Sequence, residues 1–100
     1  MRLIYFTEKE EEKIKNILEE KNTFFIVVIA SQYGKYKKGE YVKTSWGQRL
    51  LVIDAILIKD FEDFKQKYVH YPELKDTDLE AVQKAFVYKK VELIQLKKYR

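Results

Sequence analysis

One hundred residues make a single domain with one core and leave no room for a second. The chain is 46% hydrophobic and 36% charged, which excludes a disordered tail, and its longest apolar run, Phe24 to Ala30, falls far short of the ~20 residues of a membrane-spanning helix. The formal charge is only +4 and cysteine is absent, so disulfides and thiolate metal sites are excluded and a reducing, cytoplasmic setting is expected.

Arg2 to Phe6 reads as a short first strand, apolar and aromatic. It passes directly into Glu8, Lys9 and Glu10, so no secretory leader is expected. Thr7 and Glu10 have the spacing of a capping box, and Glu8, Glu10, Glu11 and Glu12 gather where a helix dipole favours negative charge. Ile14, Ile17 and Leu18 give this helix a narrow apolar stripe, and it should end near Lys21. Thr23 to Ala30 is β-branched and aromatic with no polar interruption, the pattern of a strand buried on both faces.

Gln32 to Gly39 is a loop, Tyr41 to Thr44 alternates as a strand, and Trp46-Gly47 marks a turn. Arg49 to Ile58 is the longest strand. Strict alternation places Leu50, Val52, Ile56 and Ile58 on one face and Leu51, Ile53, Ala55 and Leu57 on the other. Asp54 interrupts the first face, which suggests a rim or a bulge. Asp60 is placed to cap a helix in which Phe61, Phe64 and Tyr68 recur at helical spacing, and Pro72 lies in the segment that ends it. Thr77 and Glu80 suggest a second capping box, followed by a short helix burying Leu79, Val82, Ala85 and Phe86. Val91 to Leu96 is the closing strand, ahead of a basic tail. The order β-α-β-β-β-α-α-β with short connections points to an α+β fold: a small, mainly antiparallel barrel flanked by about three helices, spanning 1–100.

Three stretches in this order carry a family likeness. Ile17-Leu18-Glu19-Glu20-Lys21-Asn22-Thr23 ends a helix in a turn to a strand. Tyr36-Lys37-Lys38-Gly39-Glu40-Tyr41-Val42 turns into the next strand, and Phe61 through Thr77–Glu80 to Val91–Lys97 supplies the helices and last strand. Together they resemble the ASCH family of the PUA-like barrel superfamily, with its Gly-x-Lys-Thr turn, its Lys-x-Gly-Asp turn and its Phe-containing helix. The resemblance spans nearly the whole chain and implies a PUA-like barrel that handles RNA. Some members resemble acetylcytidine amidohydrolases, which use a lysine, a threonine and a glutamate. In strict register those positions hold Asn22 and Phe25, with Glu73 near the glutamate; a one-residue slip offers Lys21 and Thr23 instead. The family glycine is Glu20 here, and Phe24-Phe25-Ile26-Val27 replaces its Glu-x-Arg pair.

Positive charge is confined to two segments, 31–50 and 86–100, each with a local excess of four. Within the first, Tyr33-Gly34-Lys35-Tyr36-Lys37-Lys38 continues to Lys43, Trp46 and Arg49. Rings from Tyr33, Tyr36 and Trp46 could stack unpaired bases, while Lys35, Lys37, Lys38, Lys43 and Arg49 neutralise phosphates. Lys97, Lys98, Tyr99 and Arg100 would extend such a face if the closing strand lies nearby. The plainer alternative has Tyr36 plugging one end of the barrel, Trp46 covering a hairpin and the lysines merely solvated. His70 is the only histidine, no serine sits in a Gly-flanked turn, and the three glycines are scattered, so no nucleophilic triad, zinc site or phosphate loop is expected. Paired carboxylates such as Glu62-Asp63 and Asp76-Asp78 read as helix starts, and the acidic first helix is wrongly charged for anionic lipid. High Lys, Glu and Ile content hints at a heat-adapted source. The expected function is non-catalytic binding of RNA or single-stranded nucleic acid by the basic aromatic loop, with no cofactor and no metal. Two alternatives stand beside it: a nucleoside- or RNA-directed hydrolase using Lys21, Thr23 and Glu73, and a protein-interaction domain using the Tyr-rich surface.

Overall fold

The computed structural model describes residues 1–99. Its elements are β1 (Arg2–Ile4), α1 (Glu8–Glu20), β2 (Thr23–Ala30), β3 (Tyr41–Thr44), β4 (Arg49–Ile58), α2 (Phe61–Tyr68), a 3₁₀ turn (Pro72–Leu74), α3 (Leu79–Tyr88) and β5 (Lys90–Lys98). The local signals act as expected at α1, where the Thr7 hydroxyl accepts from Glu10 N–H and the Glu10 carboxylate accepts from Thr7 N–H. Asp60 caps α2 by accepting from Asp63 N–H at 2.8 Å. The second capping box does not form. Asp78, not Thr77, caps α3 and accepts from Ala81 N–H, so the helix starts one residue later. A carboxylate at that position also gains from the helix dipole, which a hydroxyl does not.

The strands form one mixed sheet in the order β1-β3-β4-β5-β2, with β1 parallel to β3 and the remaining pairs antiparallel. This corrects the expected barrel: the sheet is open, and β1 and β2 are its two edges. The chain between them is α1, whose Ile14, Ile17 and Leu18 pack in one core with Ile4 of β1 and with Phe24 and Val28 of β2. A helix in that place contributes side chains to the core but no backbone partners to either strand. β2 is packed on both faces as expected, with Phe24, Ile26 and Val28 in the core under α1 and Phe25 and Val27 against a second core under α2 and α3. Phe24 and Val28 are buried, whereas Ile29 is 41% exposed.

The β4–β5 ladder shifts register between Val52 and Asp54, so the Asp54 interruption does mark a bulge. One extra residue, Ile53, reverses the parity beyond it. Leu50, Val52 and Ala55 therefore share one face with Ile94 and Leu96, while Ile56 and Ile58 face the other way with Val91 and Leu93. Strict alternation would group Ile56 with Val52. Two cores follow, not the single one expected from the length: one lies under α1 and one under α2 and α3, where Phe64, Leu74 and Val82 are buried.

Surface pairs fasten α2. Lys67 donates to Asp63 Oδ1 at 2.6 Å and Lys59 N–H donates to Oδ2 at 3.2 Å. The Lys67 hydrogen bond, then that of Lys59, holds the Asp63 carboxyl below its ordinary value of 3.8. A carboxyl lowered on folding stabilises the native state above its unfolded pKa, and that contribution fades as pH falls through the folded value. Asp63→Asn is therefore expected to lower the midpoint of chemical denaturation at neutral pH. As pH falls through the lowered folded value, the difference from the parent should shrink towards zero.

Candidate nucleic-acid interface

The segment between β2 and β3 is expected from its sequence to offer its rings to solvent, and it is instead a fastened plug. Tyr33 OH donates to Ile58 O at 3.0 Å, and Gly34 N–H donates to Glu92 Oε1 at 2.8 Å. Gly39 N–H donates to Val52 O, and Val52 N–H donates to Glu40 O. Arg2 donates to Lys35 O and pairs with Glu40 at 2.8 Å. Tyr36 is the keystone, only 8% exposed and part of the core under α1. The Arg2 guanidinium lies 4.5 Å from its ring centroid, and burial pushes its phenol above the ordinary value. A ring so covered has no open face for a base. Trp46 is also on the α1 side, 6.0 Å from Phe6, with the Lys15 ammonium 5.6 Å from its ring centroid. Tyr33 stays partly exposed with Lys90 over its ring, and Lys35, Lys37 and Lys38 are exposed.

The two basic segments meet elsewhere, on the sheet. Cross-strand pairing sets Tyr41, Leu51, Lys97 and Thr23 in one row over β3, β4, β5 and β2. Leu3, Lys43 and Arg49 form the next row, and Tyr99 joins it through its N–H to Arg49 O at 2.9 Å. The Tyr41 and Tyr99 rings meet on that shared face, with centroids 4.9 Å apart and planes tilted by 57°. Both rings are more than two-fifths exposed, and Lys43, Arg49 and Lys97 are exposed beside them. This is the same face that α2 and α3 cover further along, beyond the bulge, at Ile56, Ile58 and Leu93. Of these residues the sequence pointed to Lys43 and Arg49, and to Lys97 and Tyr99 as an extension, but not to Tyr41. Tyr41 and Lys43 alternate with buried Val42 and Thr44, and that outward parity was the available signal. Arg100 lies outside the described residues.

Lys21, Thr23 and Glu73 do not converge. Lys21 and Glu73 line one cavity of about 510 Å³ between α1 and the 3₁₀ turn, while Thr23 does not line it. The Glu73 carboxylate is already engaged, accepting from Phe25 N–H at 2.9 Å. His70 sits exposed after α2. Glu92 carries no signal of a role in the sequence. It is 2% exposed on β5, on the same parity as Ile94 and Leu96, and its second oxygen, Oε2, has no hydrogen-bond partner among the described residues. Among those residues there is also no group of three or more His, Asp or Glu side chains able to hold a metal ion. No helix among them is long and apolar enough to cross a membrane.

No family model matches the chain, and no curated protein matches it. Among solved structures, the hypothetical protein PH0355 is similar in fold, with a TM-score of 0.59 at 15% identity, over 99% of this chain and 100% of that one. At that identity the likeness establishes a known α+β fold. Tyr36 separates the plug from a base-stacking residue. Tyr36→Ala should cost about 3 kcal/mol in chemical denaturation by emptying a core position, whereas Tyr36→Phe, which keeps the ring, should cost under about 1.5 kcal/mol.

Proposed function

We propose that this chain binds single-stranded nucleic acid, RNA in particular, on the uncovered sheet face and catalyses no reaction there. One observation carries the reading: two exposed tyrosine rings stand among Lys43, Arg49 and Lys97, with no carboxylate in either row. An unpaired base gains roughly 1–3 kcal/mol from stacking on an exposed ring, and flanking cations hold the phosphates between bases. A duplex keeps its bases stacked on each other and gains nothing from such rings. Tyr41, Lys43, Arg49, Lys97 and Tyr99 thus take the stacking and phosphate roles, with Lys35, Lys37 and Lys38 adding to the positive field. Tyr33 is a peripheral ring, and Tyr36 and Trp46 act from inside by shaping the scaffold. The ASCH-like motif order favours the same ligand class. In this reading the chain is a variant of the PUA-like design whose sheet is left open at α1.

A hydrolase of the ASCH amidohydrolase type is the second reading, favoured by the cavity that Lys21 and Glu73 share. It is weakened by Thr23 lying outside that cavity and by the hydrogen bond that occupies Glu73.

Fluorescence anisotropy with a short labelled oligouridylate, repeated over a salt titration, tests the first reading. Replacing Lys43 and Lys97 together by Glu should flatten the log–log salt dependence by about 0.7 for each phosphate no longer neutralised. Tyr41→Ala should weaken binding by about 1–3 kcal/mol while leaving the salt slope unchanged. No binding by the parent at low salt, or equal binding by the charge-reversed variant, would sink the proposal.

A further inference from the structure

β2 is an outer strand whose own sequence carries none of the usual protections of an edge. Thr23–Ala30 contains no charged residue, no proline and no register shift against β5. Exposed edges are ordinarily broken by one of these, because unpaired backbone groups on an apolar strand template pairing with another chain. Antiparallel pairing uses the backbone groups of alternate residues. Phe25 turns its N–H away from β5, towards Glu73. Val27 and Ile29 have the same parity in an unbroken register, so their N–H and C=O groups also point away from β5. Neither residue has a hydrogen-bond partner on that side among the described residues.

Those groups open into a cavity of about 590 Å³ whose wall includes every residue from Phe24 to Ile29. Since side chains alternate between faces, a cavity that touches consecutive strand residues runs along the strand's edge. Ile14 and Ile17 of α1 bound it on one face of the sheet, and Leu74 and Val82 bound it on the other. The Lys13–Asp76 pair, 3.5 Å apart and exposed, joins α1 to the turn before α3. Exposed pairs of this kind contribute little, so this one opens at small cost.

We propose that this cleft accepts an extended polypeptide segment of a protein partner, which adds to β2 as a sixth strand. The outward amide and carbonyl groups of Val27 and Ile29 repeat every two residues, the spacing an extended backbone presents. Ile17 on one side and Val82 on the other favour apolar residues at both alternating sets of the incoming segment. Glu73 occupies the Phe25 N–H and so marks where the added strand stops. α1 flanks the edge on one face and the 3₁₀ turn and α3 flank it on the other, so a lone segment brings no helix of its own against them. The edge of a second folded copy would bring its own helices against them. The proposal is independent of the nucleic-acid reading, which uses a different surface.

The test uses the full chain labelled with nitrogen-15 and an end-blocked peptide of alternating valine and leucine with a lysine at each end. Two further versions of the peptide are N-methylated on one parity or the other. Amide exchange at Val27 and Ile29 should be fast in the free protein and slow by about tenfold or more at saturating peptide. One of the two methylated peptides should lose binding while the other retains it. Val27→Pro removes an N–H that makes no bond to β5, and it should abolish the peptide-induced protection at Ile29. The methylated peptides keep the test decisive if that variant fails to fold. The proposal is overturned by unchanged exchange at saturating peptide, or by equal binding of both methylated forms. Protection of these amides in the free protein, rising with concentration alongside a dimer in sedimentation, would assign the edge to a second copy instead.

Discussion

The β4–β5 ladder and its single bulge govern how everything else is arranged. Without Ile53 as an extra residue, Val52 and Ile56 would lie on one face and the two cores would merge or fail. With it, the residues before and after the bulge use opposite parities. The same sheet face is consequently apolar and helix-covered at Ile56 and Ile58, yet bare and cationic at Lys43, Arg49 and Lys97. α2 and α3 are short, and they follow β4 from its far end, so they pack on that end alone. The face proposed for binding is the part of the sheet that the helices do not reach.

Much of the fold was legible because its signals are local. Capping by Thr7 and Asp60, the apolar stripe of α1, the β4 run and the Asp54 interruption all depend on neighbouring residues. What escaped was non-local. Thr23–Ala30 looks like a central strand, because uninterrupted hydrophobicity reports that a strand is desolvated without saying what desolvates it. Here α1 and the segment from the 3₁₀ turn to α3 do so in place of a second neighbouring strand. The closed barrel failed for the same reason, since closure depends on what lies between β1 and β2.

The site shows the same division. A run of lysines and tyrosines in a loop is conspicuous in a sequence, but Tyr36 is consumed by the core and Arg2 covers its face. The surface proposed in its place is assembled from β3, β4 and the end of β5, which contribute one or two residues each. No contiguous motif describes it. Lys43 and Arg49 were legible because they lie beside the loop, whereas Lys97 and Tyr99 could be named only on condition that the closing strand lay nearby, which the pairing of β5 with β4 meets. Glu92 illustrates the reverse case, a carboxyl group hidden inside an apolar strand that anchors the loop through Gly34.

The most direct test of the central claim is residue-level mapping of amide shifts in the nitrogen-15-labelled chain during titration with a short oligouridylate. The account predicts that the largest changes fall on Leu3, Tyr41, Lys43, Arg49, Leu51, Lys97 and Tyr99. Changes confined to residues 33–38, or to the cleft beside β2, would contradict it, as would a spectrum that does not respond.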